Sequence, residues 1–290
     1  MQNNSLPVIA ITVHSSDSRP KGYDYLNNLL NSIKRIEKFV KGVVIVDNQS
    51  SMPIIDCEFF NDFCKSTNTD VILKRIDNQL VSGLTGAWNV AIKEGFKMDT
   101  DIVINANDDL VFNDTLKNYI EWYRSVINTP FICGPITDDE GTGDRLRKLS
   151  NTKFAKESNL PIKDVSNFKN PLYEEKARNK WLASQDWVID AIDSKDKPWL
   201  NGFCFSLNRV AYEKIMQLND NEYFFPIGQC IDNNVDKNGV KKSRWGGQEY
   251  SFCSWQKLLN IEMKIIGNWY VEHSKDENKL WRVHQSREKN

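Results

Sequence analysis

Ile102-Val103-Ile104-Asn105-Ala106, running directly into Asn107-Asp108-Asp109, is the stretch that decides the fold. A short run rich in β-branched residues suits a strand covered on both faces, as in a parallel sheet. A polar, acidic cluster immediately after it belongs at the strand's C-terminal end. The same design recurs upstream. Val8-Ile9-Ala10-Ile11-Thr12-Val13 is followed by a polar loop from His14, and Val43-Val44-Ile45-Val46 is followed by Asp47-Asn48-Gln49-Ser50-Ser51. Val71-Ile72-Leu73 supplies a further strand. Helical spacing fills the intervals: Tyr25, Leu26, Leu29, Leu30, Ile33 and Ile36 make one apolar face, and Leu84, Trp88, Ala91, Ile92 and Phe96 another, opened by Ser82-Gly83. A shorter helix is expected near Phe59, Phe60 and Phe63. Leu116, Tyr119, Ile120 and Tyr123 mark the next, with Asp114 placed to cap it.

Alternating strands and helices over residues 1–135 predict an α/β fold with a doubly wound, mostly parallel sheet. The remainder, 136–290, is less regular and reads as a second half of the same globular domain. It offers a strand from Trp199 to Leu207, and a helix with Ala211, Ile215 and Leu218 capped by Asn208. A helix opened by Trp245-Gly246-Gly247-Gln248-Glu249 comes next, and a last strand from Ile261 to Val271 leads to His273.

Bulk properties exclude several classes. A net charge of −1 gives no global attraction to nucleic acid or membrane. No apolar run approaches the roughly 20 residues that cross a bilayer, and the first residues lack a secretory signal. A cytoplasmic protein is expected. The six cysteines, Cys57, Cys64, Cys133, Cys204, Cys230 and Cys253, show no zinc-site spacing and read as buried free thiols.

In an open parallel sheet, ligands bind where loops gather at the strands' carboxyl ends, beside helix N-termini that favour anions. The loops at Asp47, at Ser82-Gly83 and at Asn107 should therefore share one pocket. Acidic residues beside an anionic ligand make sense when a cation lies between them. Mn²⁺ or Mg²⁺ takes oxygen ligands, commonly one or two carboxylates completed by phosphate oxygens and water. Asp109, supported by Asn107 or Asp108, meets that need, although the same residue types also make plain turns and helix caps.

The segments Val43 to Ser50, Asp77-Asn78 with Gly83-Leu84-Thr85-Gly86-Ala87-Trp88-Asn89, Ile104 to Asp109, and Gly202-Phe203-Cys204-Phe205 together resemble inverting nucleotide-sugar glycosyltransferases of family 2. The resemblance weakens between Thr137 and Pro198. It implies a GT-A fold built on a Rossmann-type nucleotide-binding sheet, a nucleotide-diphosphate sugar donor, and Mn²⁺ or Mg²⁺. It assigns Asp47, Asn48, Asn78, Gly83, Asn89 and Asp108 to the donor, and Gly202 and Trp245 to the acceptor. Asp109 and His273 fall to the metal, with His284 as the rival histidine. Glu249, one acid where the family has a pair, becomes the general base. His14 stands near the expected nucleotide as a further loop residue.

The acceptor is expected to be a glycan. An excess of ten Lys or Arg over four Asp or Glu between Arg145 and Lys180 leaves an anionic acceptor such as nucleic acid open. Two other classes stay in view: a sugar nucleotidyltransferase, although His14 to Lys21 lacks paired glycines, and a non-catalytic glycan- or nucleic-acid-binding protein.

Overall fold

The computed structural model describes residues 6–17, 20–76, 83–137, 188–191, 200, 202–225 and 249–273. Among them are nine strands: β1 (Val8–Val13), β2 (Gly42–Asn48), β3 (Asp70–Ile76), β4 (Ile102–Asn107), β5 (Leu110–Val111), β6 (Phe131–Thr137), β7 (Val188–Asp190), β8 (Cys204–Asn208) and β9 (Glu262–His273). The helices are α1 (Gly22–Arg35), α2 (Glu58–Ser66), α3 (Leu84–Lys97), α4 (Leu116–Val126), α5 (Arg209–Leu218) and α6 (Glu249–Leu259).

The strands form one sheet in the order β3-β2-β1-β4-β8-β6-β9-β5, with β7 also on β9. The four strands expected from the first half, β3, β2, β1 and β4, are parallel throughout. Strand β8 then enters antiparallel between β4 and β6. Beyond it, β6 and β9 are parallel, while β7 and β5 run antiparallel to β9.

Alternation along the central strands builds two cores. Ile9, Ile11, Val43, Ile45, Ile102 and Ile104 pack against α1, α2 and α4 on one face. Val8, Ala10, Val44, Val46 and Val103 pack against α3, α5 and α6 on the other. Both faces are covered, which is why these strands are uninterrupted apolar runs. Gly95 sets the closeness of α3: a Cβ there would come within 3.0 Å of Val103 Cγ2.

The expected helix faces are recovered with local exceptions. Leu84, at the start of α3, is 36% exposed, and Leu218, at the end of α5, is 47% exposed, while Met216 is buried in its place. Asp114 does not cap α4. Asn113 does the local work, its Oδ1 accepting from Thr115 N at 2.9 Å. Of the cysteines, Cys64 is exposed rather than buried, Cys57, Cys133, Cys204 and Cys253 are buried and free, and Cys230 lies outside the described residues. Burial pushes the Cys133 and Cys204 thiols well up from their ordinary value, so both stay protonated and inert.

Asn208 caps α5 as expected, accepting from Ala211 N at 3.0 Å. It does more than cap. Its Oδ1 also accepts from Phe131 N at 3.2 Å, and its Nδ2 donates to Ile127 O and Thr129 O at 3.0 and 2.8 Å. One buried amide therefore joins β8, α5 and the turn into β6. Asn208→Ala leaves buried backbone groups unpaired and is expected to cost about 3 kcal/mol. Chemical denaturation measures this, and Asn208→Asp, which keeps the acceptor, should lose less.

Candidate active site

The loops after β1 and β2 are stitched together before any ligand is considered. Ser15 N donates to Ser50 Oγ at 3.0 Å, Ser51 N donates to Ser15 O at 2.9 Å, and His14 Nδ1 bonds Asn48 O at 2.8 Å. Gln49 holds a φ of 58°, a left-handed turn that carries the chain from Asn48 back under β1.

Asp47 is the anchor of this loop. It is 1% exposed. Its Oδ1 accepts from Ser50 N at 3.0 Å, and its Oδ2 accepts from Ile54 N at 3.3 Å and from the Arg75 guanidinium at 2.8 Å. Arg75 also donates to Ser50 O at 3.1 Å. The sequence assigns Asp47 to the donor as a direct acceptor; in the structure both carboxylate oxygens are already engaged, and the residue shapes the loop. Arg75 was missed. The available signal was its register, since Asp47 and Arg75 are partners across the parallel β2–β3 pair. Tyr23 closes the same crevice, donating to Met52 O, and burial raises its phenol from the ordinary value, Ser50 opposing the shift and the Asp47 charge adding to it.

At the end of β4 the cluster splits by role. Asp108 is 1% exposed. Asp109 is more open, and its Oδ2 lies 3.3 Å from His273 Nε2, with both side chains 14% exposed. The two come from opposite ends of the chain, joined by the antiparallel pairing of Leu110 with His273. Phe203 completes the corner: its ring stacks on His273 at 4.6 Å and 6°, and its carbonyl accepts from Asn107 N at 2.9 Å. Gly202, beside it, is buried. Among the described residues no third His, Cys, Asp or Glu joins Asp109 and His273 as a metal-binding group.

Strand β9 is steered into this position. Its pairing with β6 slips between Pro135 and Ile136, so that three residues of β9, 267–269, are passed over. Beyond the slip, Thr115 donates to Tyr270 O at 3.0 Å and accepts from Tyr270 N at 2.9 Å, and Asn113 Nδ2 also donates to Tyr270 O at 3.0 Å. Asn118 holds Asn268 O at 2.8 Å. The start of α4 thus fixes the last residues before His273.

Gly83 precedes the first residue of α3 in extended conformation, leaving the helix N-terminus at the strand ends. Asn89 is occupied elsewhere than expected. Its amide donates to Phe225 O at 2.8 Å and accepts from Phe225 N at 2.7 Å, clamping the chain after α5 onto α3. Glu249 is the first residue of α6, and its side chain, with Asn78, Trp245 and His284, lies outside the described residues.

No protein-family profile matches the sequence. Nor does any curated protein match it. Solved structures do match. The chain is similar to residues 1–349 of TarS from S. aureus, at TM-score 0.52 and 13% identity over 93% of this chain and 60% of that one. A mannosyltransferase of Pyrobaculum calidifontis in complex with GDP-Man and Mn²⁺ gives TM-score 0.54 and 13% identity, over 97% and 60%. GalNAc-T7 with UDP, GalNAc and Mn²⁺ gives 0.53 and 12%, over 94% and 44%. This chain thus spans about 60% or less of the length of these three. They are GT-A glycosyltransferases, and the fold of this chain is the GT-A fold.

No described helix is long and apolar enough to cross a membrane. Asp47→Ala strips Ser50 N, Ile54 N and Arg75 of their acceptor together. Because Arg75 is about a third exposed, water recovers part of the loss, and a cost of about 2 kcal/mol is expected. Urea denaturation reports it; an unchanged midpoint would mean that the loop does not depend on this carboxylate.

Proposed function

We propose that the protein is a metal-dependent, inverting glycosyltransferase that moves a sugar from a nucleotide-diphosphate donor to an acceptor hydroxyl. The observation that carries this reading is the 3.3 Å approach of His273 Nε2 to Asp109 Oδ2 at the carboxyl end of β4. A carboxylate and an imidazole, drawn together at the strand ends, are a donor set suited to Mn²⁺ more than to Mg²⁺, which favours oxygen ligands. Asp109 and His273 would hold the ion, with phosphate oxygens and water filling the other positions. Support for the donor class comes from the GT-A fold and from structural neighbours that hold UDP or GDP-Man.

When bound, the cation neutralises charge on the departing diphosphate. The remaining steps fall to the chain's own residues. The N-terminus of α3, behind Gly83, adds its unpaired N–H groups on the same side of the diphosphate. The nucleoside lies against the loop built on Asp47 and Arg75, with Asn48 at its rim. Glu249, at the start of α6, takes the proton of the acceptor hydroxyl as that oxygen forms its bond to the anomeric carbon and the bond to the diphosphate breaks. Attack from the face opposite the leaving group inverts the configuration. Gly202 and Trp245 are assigned to the acceptor, a glycan by this reading.

Hydrolysis of a panel of nucleotide sugars with Mn²⁺ tests the donor reading without knowledge of the acceptor. Asp109→Ala is expected to remove turnover and His273→Ala to weaken Mn²⁺ binding about ten-fold, read by electron paramagnetic resonance. Glu249→Gln should keep donor binding and lower transfer by about 10²-fold or more. A retained anomeric configuration in the product, or turnover by Asp109→Ala equal to the parent, would overturn the mechanism. Binding of glycan or polymer without metal or turnover would instead favour a non-catalytic binding protein.

A further inference from the structure

Buried polar atoms without a hydrogen-bond partner are uncommon in folded proteins, and here they gather in one place. Thr12 Oγ1, Thr85 Oγ1, both polar atoms of the Asn105 amide, Asn107 Oδ1 and Asn48 Oδ1 are all buried and unpartnered. Thr12 is 4% exposed, Thr85 2% and Asn105 0%.

Their positions follow from strand parity and register. Thr12 continues the series of Val8 and Ala10, and Asn105 and Asn107 the series of Val103; these series face α3. Thr12 and Asn107 are direct partners across β1–β4, and Asn105 pairs with Ala10 one pleat below. Helix α3 runs antiparallel to the strands it covers, as the crossover between parallel strands requires. It lies closest at Gly95, against Val103 and Val8. Rising about 1.5 Å per residue on the helix and about 3.3 Å on the strand brings Thr85 roughly level with Asn107, close to the strand ends. The pocket therefore lies between β1, β4 and the first turn of α3, two residues from the metal-site carboxylate Asp109. Asp47, by strand parity, belongs to the opposite face of the sheet, with Val43 and Ile45.

The chemistry of these groups is specific. Two hydroxyls and amide groups carry donors and acceptors and no charge. A phosphate or carboxylate would find no cation among them. Sugar hydroxyls, each able to donate one hydrogen bond and accept others, match them.

We propose that Thr12, Thr85, Asn105 and Asn107 form the pocket that receives the hydroxyl groups of the transferred sugar, and that this sugar is neutral. The proposal rests on the glycosyl-transfer reading above and deepens it. Unpaired polar groups destabilise the ligand-free protein, and the donor sugar completes them.

Isosteric removal tests this. Thr12→Val and Thr85→Val exchange a hydroxyl for a methyl, and Asn105→Leu removes the amide at nearly constant volume. Titration calorimetry with Mn²⁺ compares UDP-glucose, UDP-N-acetylglucosamine and GDP-mannose with UDP and GDP as sugar-free controls. For the donor that the parent protein binds, each variant should raise Kd by about ten-fold, the loss of roughly one hydrogen bond. The sugar-free nucleotide should bind unchanged. Thermal melting of the threonine variants should be unchanged or higher, since no partner is lost. The pocket assignment is overturned if donor and sugar-free nucleotide weaken together, if neither weakens, or if melting falls while binding stays, which would mean structural water occupies the pocket. If the parent protein binds neither class of nucleotide, the glycosyl-transfer reading itself fails.

Discussion

The pairing of Leu110 with His273 is the contact on which the site depends. Two residues of β5 are enough to dock the last strand beside the turn that follows β4. Without that pairing, Asp109 would stand at a strand end alone. The contact is short and so is underwritten elsewhere. The slip in β9 frees a stretch of its backbone from β6, and Thr115, Asn113 and Asn118 on the α4 side take up the carbonyls of Tyr270 and Asn268. Because those bonds are made to the main chain, they set where β9 runs regardless of its side chains. The imidazole is then held flat by the Phe203 ring, whose own backbone is bonded to Asn107. Backbone, ring stack and strand pairing converge on one nitrogen.

What was legible in the sequence was local. The runs beginning at Val8, Val43, Val71 and Ile102 became strands because buried parallel strands must be apolar on both faces, a property written in consecutive residues. Helix faces were legible for the same reason, with errors at the ends, where Leu84 and Leu218 meet solvent. The insertion of β8 antiparallel between β4 and β6 was not legible, since pairing across about a hundred residues leaves no mark in any short window. Strand β5, two residues long, has no periodicity at all. His273 could be placed after a strand by inspection, yet its approach to Asp109 depends on a slip in register that spacing does not reveal.

The site residues divide along the same line. Asp47 stood out because a carboxylate at a strand end is a good acceptor; nothing local says which donors reach it first. Arg75, level with it on the neighbouring strand, does so along with two backbone N–H groups. Asn89 likewise looked like a polar residue facing a ligand, and the structure gives its amide to Phe225, far along the chain. In both cases residue type was informative about hydrogen bonding and silent about the partner. Asn105 was read only as part of a strand, and its meaning comes from the absence of any partner in a 0% exposed position.

Charge explains how an acidic crevice can accept an anionic ligand. At an effective dielectric of about 20, two like charges 4 Å apart repel by about 4 kcal/mol, enough to exclude a diphosphate from strand ends that carried bare carboxylates. The fold removes that obstacle in two different ways. Asp47 is neutralised permanently by Arg75 and sealed into its loop, so its charge is spent on structure. Asp109 is left more accessible beside a histidine whose charge depends on protonation, an arrangement that can exchange a proton for a cation. The polar groups farther in, Thr12, Thr85 and Asn105, carry no charge and so add nothing to the repulsion. The graded order, an ion pair at the nucleoside end, a titratable pair at the proposed metal, neutral hydroxyls and amides beyond, follows the sequence of chemistry along a nucleotide sugar itself.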